Sequence, residues 1–195
     1  MLNAYKTFAA IILANALCTV AHAQPAFDCN EAEGEVENLI CSNDDLQKLD
    51  QSLAITYAQA MQNLPEQDQT NERAMQRGWI KGRNDCWKSD DVESCVTYSY
   101  HTRIVELQIR SGALEAPGFI LLSCEEEPNK RLTASFYNET EPHSVVLTLD
   151  NDQVIAFSTR SASGARYQAS NVDFWTKGKE ASLDWFGTSL KCVLP

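Results

Sequence analysis

The segment SASGARYQASNVDFWTKGKEASL, residues 161–183, sets the architecture of the second half of this chain. It places a Lys-Gly-Lys turn, 177–179, between two short runs at 172–175 and 181–186 that are rich in β-branched and aromatic residues. Such runs, separated by tight turns that contain glycine, are typical of antiparallel β-hairpins. The segment therefore predicts consecutive short strands rather than a helix.

The same pattern extends outward in both directions from this segment. Further runs with β-branched and aromatic residues lie at 132–137, 145–149 and 154–157, and the last strand lies near Leu190. An Asp-Asn-Asp turn at 150–152 separates two of the runs. Closely spaced strands with tight turns indicate an antiparallel meander, which forms either a small barrel or a sandwich. We assign residues 119–195 to this β domain.

Two cysteines bracket the β domain. Cys124 lies in the first predicted strand and Cys192 in the last. The first and last strands are neighbours if the sheet closes into a barrel. We therefore predict a Cys124–Cys192 disulfide.

The preceding residues, 24–112, show helical periodicity instead. Apolar residues recur every three or four positions after the polar cap at 42–45, and Pro65 ends that first helix. A second helix is predicted at 66–83, and Asp90 with Asp91 can open a third. These residues predict a three-helix domain, followed by a linker at 113–118 that is rich in small residues, Gly and Pro.

Four cysteines lie in the helical domain, and their pairing has two solutions. A hairpin of the first two long helices would bring Cys41 close to Cys86, which leaves Cys29 to pair with Cys95. We predict this crossed pairing, Cys41–Cys86 with Cys29–Cys95. Local pairing, Cys29–Cys41 with Cys86–Cys95, is the alternative, because connectivity does not follow from sequence alone.

Residues 1–23 have the features of a secretory signal peptide. Lys6 precedes an apolar run, and Ala-His-Ala at 21–23 forms a small-x-small cleavage site at the end of the segment. We expect a soluble exported protein of the periplasm, with no membrane insertion after cleavage. Lipidation at Cys18 is the alternative, which we disfavour because the bulky Leu17 stands where lipoprotein processing prefers a small residue.

Composition restricts the partners. The formal net charge is −11, and loss of Lys6 with the signal peptide leaves −12, which argues against nucleic acids and anionic lipids and favours cationic partners. The two histidines outside the signal peptide, His101 and His143, are isolated, and no recognisable catalytic motif is present. We therefore expect no metal, no cofactor and no enzymatic activity.

Two motifs of the opening segment, SASGARY at 161–167 and FWTKG at 174–178, closely resemble the signature segments of the MliC family. The resemblance covers about residues 119–195. Members of that family are bacterial envelope inhibitors of c-type lysozyme, and their fold is an eight-stranded antiparallel barrel. The resemblance implies that Ser163 and Lys177 enter the active-site cleft of lysozyme.

The resemblance also implies roles for the residues that follow Ser163. Gly164 and Ala165 keep the loop slim enough for a sugar-binding groove, and Arg166 and Tyr167 complete the predicted lysozyme-binding segment. Tyr167 is expected to brace the loop.

The helical domain resembles the LprI family of exported proteins, some of which are described as lysozyme inhibitors. Most of the matching residues are cysteines and helix-packing residues, so we transfer no contact residue from that family. The matching segments are FDC at 27–29, LICS at 39–42, LD at 49–50, QRGWIK at 76–81, RNDC at 83–86 and the stretch 100–107.

Together with the predicted signal peptide, the resemblance implies a periplasmic inhibitor that blocks c-type lysozyme with a serine loop and a lysine turn. One alternative is an envelope adaptor that binds through the helical domain. Another is a small-ligand carrier that uses the barrel interior. We disfavour the carrier because Trp175, Trp185 and Phe186 are expected to fill that interior.

Overall fold

The computed structural model describes residues 25–126 and 129–195. The predicted signal peptide and Cys18 lie outside these residues. The predicted architecture is confirmed, because a helical domain precedes a closed antiparallel barrel of eight strands. Within the described residues, no helix is long and apolar enough to cross a membrane.

The helical domain contains the three long helices that the sequence predicts and one additional shorter helix. Asn43 caps the first long helix through its side chain, Pro65 precedes the second, and Asp91 caps the third. The sequence therefore marked each of these boundaries with a residue that stops or starts helices. The helices are α1 (Gly34–Ser42), α2 (Asp44–Asn63), α3 (Glu66–Asn84) and α4 (Val92–Arg110), with 3₁₀ turns at Cys29–Glu31 and Asp85–Lys88.

The crossed disulfide pairing predicted for this domain, Cys41–Cys86 with Cys29–Cys95, is wrong. The bonds are local, Cys29–Cys41 and Cys86–Cys95, with Cα–Cα distances of 5.8 and 5.7 Å. The prediction assumed that the first two long helices pack side by side, whereas α2 packs mainly against α4. Each bridge instead joins a 3₁₀ turn to an adjacent helix, so it closes a short loop.

The eight strands form a closed meander in which each strand pairs with its neighbour in sequence and β1 pairs with β8. Cys124 lies opposite Cys192 in that last pair, and the predicted disulfide between them is confirmed. The strands are β1 (Ile120–Cys124), β2 (Leu132–Tyr137), β3 (Ser144–Leu149), β4 (Asp152–Thr159), β5 (Ala165–Ala169), β6 (Val172–Lys177), β7 (Glu180–Trp185) and β8 (Thr188–Val193).

Side chains fill the interior of the barrel. Phe174 is fully buried and Trp185 is 8% exposed, as expected for inward positions of a small barrel. Trp175 and Phe186 were expected inside as well, but Trp175 lies on the outer side of β6 and Phe186 is 59% exposed. Adjacent residues of a strand face opposite sides, so Phe174 and Trp175 cannot share the core. The packed core gives no support to the ligand-carrier alternative.

The core of the helical domain contains a charged network as well as apolar side chains. The buried Arg83 donates to the hydroxyl of Tyr100 (2.8 Å), which in turn donates to Asp50 (2.8 Å). The guanidinium of Arg83 also lies over the rings of Trp79 and Tyr100, 5.4 and 5.6 Å from their centroids. Burial raises the pKa of the Tyr100 phenol above its ordinary value, so this hydroxyl remains a donor.

Replacement of Tyr100 with phenylalanine tests the importance of this network. Tyr100→Phe leaves buried polar partners unsatisfied, so we expect the free energy of unfolding to fall by about 1–3 kcal/mol. Urea denaturation followed by circular dichroism at 222 nm measures the change. Tyr98→Phe is the matched control, because Tyr98 is 47% exposed. Equal stability of the two variants would contradict a stabilising role for the network.

Candidate functional site

The serine loop, defined here as residues 160–164, and the lysine turn, residues 177–179, lie at the same end of the barrel. The serine loop connects β4 to β5 and the lysine turn connects β6 to β7, and these two connections share one end of an antiparallel meander. The strand register makes them adjacent, because Ala165 pairs with Thr176 at that end of the β5–β6 ladder.

Gly164 brings the serine loop into direct contact with the lysine turn. Its φ is +71°, and a Cβ at this position would lie 2.2 Å from the carbonyl oxygen of Thr176 and 3.1 Å from the Cβ of Lys177. A side chain of any size would therefore collide with the β6 backbone. Only glycine allows the loop to approach this closely and adopt this backbone conformation.

The serine loop is held by its backbone rather than by the side chain of Ser163. The indole nitrogen of Trp175 donates to the carbonyl oxygen of Ser163 (2.8 Å), and the hydroxyl of Ser161 donates to the same oxygen (2.7 Å). The hydroxyl of Ser163 is exposed and has no hydrogen bond to any described residue. The loop therefore presents a free hydroxyl from a fixed backbone.

Lys177 is presented by a two-residue hairpin. Lys177 pairs with Glu180 in the register, and Gly178 has a φ of +61°, a conformation that glycine adopts readily. The side chain of Lys177 is exposed and forms no ion pair with the residues that the structure describes. Its ammonium group is thus available to an acidic partner.

Arg166 is engaged in a bidentate pair on the outer face of the sheet. Its Nε lies 2.9 and 3.1 Å from the two carboxylate oxygens of Asp173, and its Nη2 donates a further hydrogen bond to the same carboxylate. Gln168 adds a hydrogen bond of 2.9 Å to Asp173. The hydrogen bond from Arg166 is the main cause that lowers the pKa of Asp173 below its ordinary value.

Tyr167 does not belong to the exposed surface. It is only 7% exposed and packs inside the barrel, with its ring centroid 5.7 Å from that of Phe136 and 6.5 Å from that of Phe174. Inward alternation along β5 places it in the core, and its membership of the lysozyme-binding segment stays a prediction. A bracing role from within the barrel agrees with its position.

A groove of about 670 Å³ runs beside the serine loop along the outer faces of β6, β7 and β8. Only Ser163 and Arg166 of its lining residues are among the predicted site residues. The period-two pattern of β7 and β8 could have identified the outward residues Asp184, Ser189 and Lys191, whereas nothing in the sequence pointed to Glu126 or Arg160. Glu126 accepts from the backbone nitrogen of Lys191 (2.7 Å), a contact between residues far apart in the chain.

In the described ranges 25–126 and 129–195, no group of His, Cys, Asp and Glu side chains could hold a metal ion. The six cysteines in these ranges are consumed by disulfides. The arrangement instead offers an exposed hydroxyl, an exposed ammonium group and an adjoining groove. These features suit binding to another surface.

The fold and this site define a class of two-domain proteins, in which a disulfide-bonded helical domain precedes a barrel with an exposed serine loop and lysine turn. The family model described as "Lysozyme inhibitor LprI" matches residues 29–113, and the one described as "Membrane-bound lysozyme-inhibitor of c-type lysozyme" (MliC) matches residues 123–191.

Some known proteins resemble the chain over most of its length, and others over a shorter part. Proteins named "Lipoprotein LprI" from Mycobacterium tuberculosis and Mycobacterium bovis are each 34% identical to it over 167 residues, which is 86% of this chain and 83% of theirs. A "Membrane-bound lysozyme inhibitor of C-type lysozyme" from Cupriavidus necator is 41% identical over 54 residues, 28% of this chain and 43% of its own. The chain belongs to the LprI family.

The contact at Gly164 can be tested by adding a methyl group. Gly164→Ala introduces both the collision with Thr176 and a left-handed backbone strain that costs roughly 1–2 kcal/mol by itself. Gly178→Ala is the matched control, since its φ is also positive but no atom lies within 4 Å of the added Cβ. We expect a larger loss of unfolding free energy for Gly164→Ala, measured by urea denaturation of the barrel. Equal losses would show that the close approach is unimportant.

The Arg166–Asp173 pair predicts a specific pH dependence. Because the folded-state pKa of Asp173 is lowered, the pair stabilises the fold above the unfolded-state pKa of aspartate. That contribution is lost as the pH falls through the folded-state value. We expect Arg166→Ala to raise the titration midpoint of Asp173, followed by NMR of its carboxyl carbon, and Arg160→Ala to leave it unchanged. An unchanged midpoint in Arg166→Ala would refute the assigned cause.

Proposed function

We propose that this protein inhibits c-type lysozyme by inserting the serine loop and the lysine turn into the active-site cleft of that enzyme. The observation that carries the proposal is the contact of Gly164 with the backbone of β6, which holds together the two segments that carry the uncommitted side chains of Ser163 and Lys177. The matches of both domains to families described as lysozyme inhibitors support the same function.

The chemistry of the two side chains complements the catalytic groups of lysozyme. Lysozyme keeps one carboxyl group protonated as its general acid and a second one ionised. The hydroxyl of Ser163 can hydrogen-bond the protonated group, and the ammonium of Lys177 can pair with the ionised one. Charge-assisted hydrogen bonds of this kind are stronger than neutral ones.

The rigidity of the serine loop favours tight binding. Ordering a flexible loop upon association costs conformational entropy that reduces the affinity. Here Trp175 and Ser161 hold the carbonyl of Ser163 in the free protein. The next residue, Gly164, is held by its close contact with the β6 backbone. The loop would therefore enter the cleft without paying that cost again.

Net charge supports a fast encounter with the enzyme. The chain has a formal net charge of −11, whereas lysozymes of the c-type are strongly basic. Opposite net charges steer two proteins together and raise the association rate, particularly at low salt. Inhibition itself would depend on the contacts of Ser163 and Lys177.

We further propose that the protein acts by binding alone, without catalysis, and that it is exported to the periplasm. Export depends on the signal peptide predicted at residues 1–23. The mycobacterial relatives are named lipoproteins, which keeps lipidation at Cys18 as the alternative for this chain. The mass of the mature protein distinguishes the two, because cleavage after Ala23 removes Cys18 whereas lipoprotein processing retains it.

Alanine substitutions in the loop and the turn test the mechanism. We expect Ser163→Ala and Lys177→Ala to weaken inhibition about tenfold or more each, because each removes one polar contact in a desolvated cleft. The measurement is the inhibition constant against c-type lysozyme acting on bacterial cell walls. Lys179→Ala and Ser170→Ala are the matched controls, since Lys179 shares the same turn and Ser170 lies at the other end of the barrel.

The controls separate a specific contact from a general effect. Lys179→Ala removes the same charge as Lys177→Ala two residues away, so it reports the loss of electrostatic steering alone. If the double variant Ser163→Ala/Lys177→Ala inhibits as well as the parent protein, the insertion mechanism is incorrect. If the parent protein does not inhibit at all, the proposed function is incorrect.

A further inference from the structure

A cavity of about 470 Å³ opens on the helical domain and is lined only by residues of that domain. Three aromatic side chains, Phe27, Tyr57 and Trp79, contribute to its walls. Trp79 is fixed in place, because its indole nitrogen donates to the carbonyl oxygen of Ser99 (3.2 Å). The volume lies within the usual range of ligand pockets, about 300–1,000 Å³.

Carboxylates dominate the charge of this cavity. Its lining contains four of them, Asp28, Glu31, Glu37 and Asp50, and a single cation, Arg83. Arg83 lies 3.7 Å from both Glu37 and Asp50, so its charge is already offset by two of the four. The field in the cavity is therefore negative, which excludes phosphates and carboxylate ligands.

Glu31 is the carboxylate with both oxygens available to a ligand, because one oxygen of Asp28 already accepts two hydrogen bonds from Asn30. Both oxygens of Asp50 are occupied, by Tyr100 (2.8 Å) and by the backbone nitrogen of Ala26 (2.6 Å). Both oxygens of Glu37 also accept hydrogen bonds, from Asn84 and from the backbone nitrogen of Glu33. The side chain of Glu31 is exposed, and its carboxylate forms no hydrogen bond or ion pair with any described residue.

The aromatic walls favour a cation in the same way. Aromatic faces attract guanidinium and ammonium groups, and the attraction grows when the group is desolvated. Arg83 demonstrates this preference within the domain, because its guanidinium lies over the faces of Trp79 and Tyr100. A ligand cation would combine such a face with the free carboxylate of Glu31.

We propose that this cavity is a docking site for an arginine or lysine side chain of a strongly basic protein partner. The volume exceeds that of one such side chain, so it leaves room for the partner residues on either side. The identity of the partner as c-type lysozyme rests on the proposed function, whereas the preference of the cavity for a cation does not. The helical domain would then give the protein a second contact, separate from Ser163 and Lys177.

The preference for a cation is tested with a small probe on the full mature chain. We titrate Nα-acetyl-arginine amide at constant ionic strength and follow the indole signal of Trp79 by NMR. Nα-acetyl-citrulline amide, which has a similar shape and no charge, is the matched ligand control. We expect a saturable shift with the arginine probe and none with the citrulline probe.

Charge reversal at the rim locates the site. Glu31→Lys places a cation at the mouth of the cavity without removing a hydrogen bond within the described structure, so we expect it to weaken the arginine probe at least about tenfold. Glu115→Lys is the matched control, because it makes the same charge change at an exposed position outside the cavity. Circular dichroism verifies that both variants keep the helical fold.

The protein partner is tested by calorimetry with c-type lysozyme. We expect Glu31→Lys to reduce the affinity several-fold more than Glu115→Lys does, both in the parent protein and in Ser163→Ala/Lys177→Ala. Equal effects of the two charge reversals on lysozyme and on the arginine probe would overturn the docking site. The docking site would also be overturned if the NMR signal of Trp79 shifted with tri-N-acetylchitotriose and did not shift with the arginine probe. That result would indicate a sugar-binding site instead.

The experiments can refute either proposal without refuting the other. If lysozyme does not bind the parent protein, the proposed function fails, and the arginine probe alone decides whether the cavity accepts a cation. If Ser163→Ala/Lys177→Ala loses inhibition while Glu31→Lys behaves as Glu115→Lys, the barrel mechanism stands and the docking site is refuted.

Discussion

Pairing of β1 with β8 closes the sheet, and the candidate binding surface depends on that closure. In a closed barrel every strand has two neighbours and every side chain faces either the core or the outside. The Cys124–Cys192 bridge lies within this pair and links the first strand covalently to the last. Closure therefore fixes the positions of the connections at each end, including the serine loop and the lysine turn.

The helical domain is stabilised differently, by buried ion pairs and hydrogen bonds in addition to apolar packing. Four helices cannot enclose a large core, and part of the interior is charged: Arg83 and Arg103 are both nearly inaccessible to solvent. Each is compensated, Arg83 by Tyr100 and its carboxylate neighbours and Arg103 by Glu72 and Gln76. Paired charges of this kind are costly to break, because removal of one partner leaves an uncompensated charge in the interior.

Features encoded locally in the chain were predictable from its sequence. Asn43, Pro65 and Asp91 mark helix boundaries because each acts on the backbone within a few residues. The strands followed from period-two alternation in the same way. The pairing of the helical cysteines was not predictable, because it depends on α2 packing mainly against α4, and nothing in the periodicity specifies that choice.

In the candidate site, too, local features were predictable from the sequence and features that depend on tertiary packing were not. Ser163 and Lys177 were identified by motif, and the register of β5 and β6 brings their segments together. The inward position of Tyr167 did not follow from the motif, because motif membership does not report which side of a strand a residue faces. Glu126 was missed because its contact with Lys191 spans 65 positions in sequence.

The hydrogen bond from Trp175 to the serine loop has a consequence for how such a surface can diversify. The acceptor is the main-chain carbonyl of residue 163, which every amino acid possesses. Exchange of the side chain at this position therefore leaves the anchoring intact and alters only what the loop displays. A scaffold built in this way separates shape from chemistry, so it can be retuned by single substitutions toward clefts with different catalytic groups.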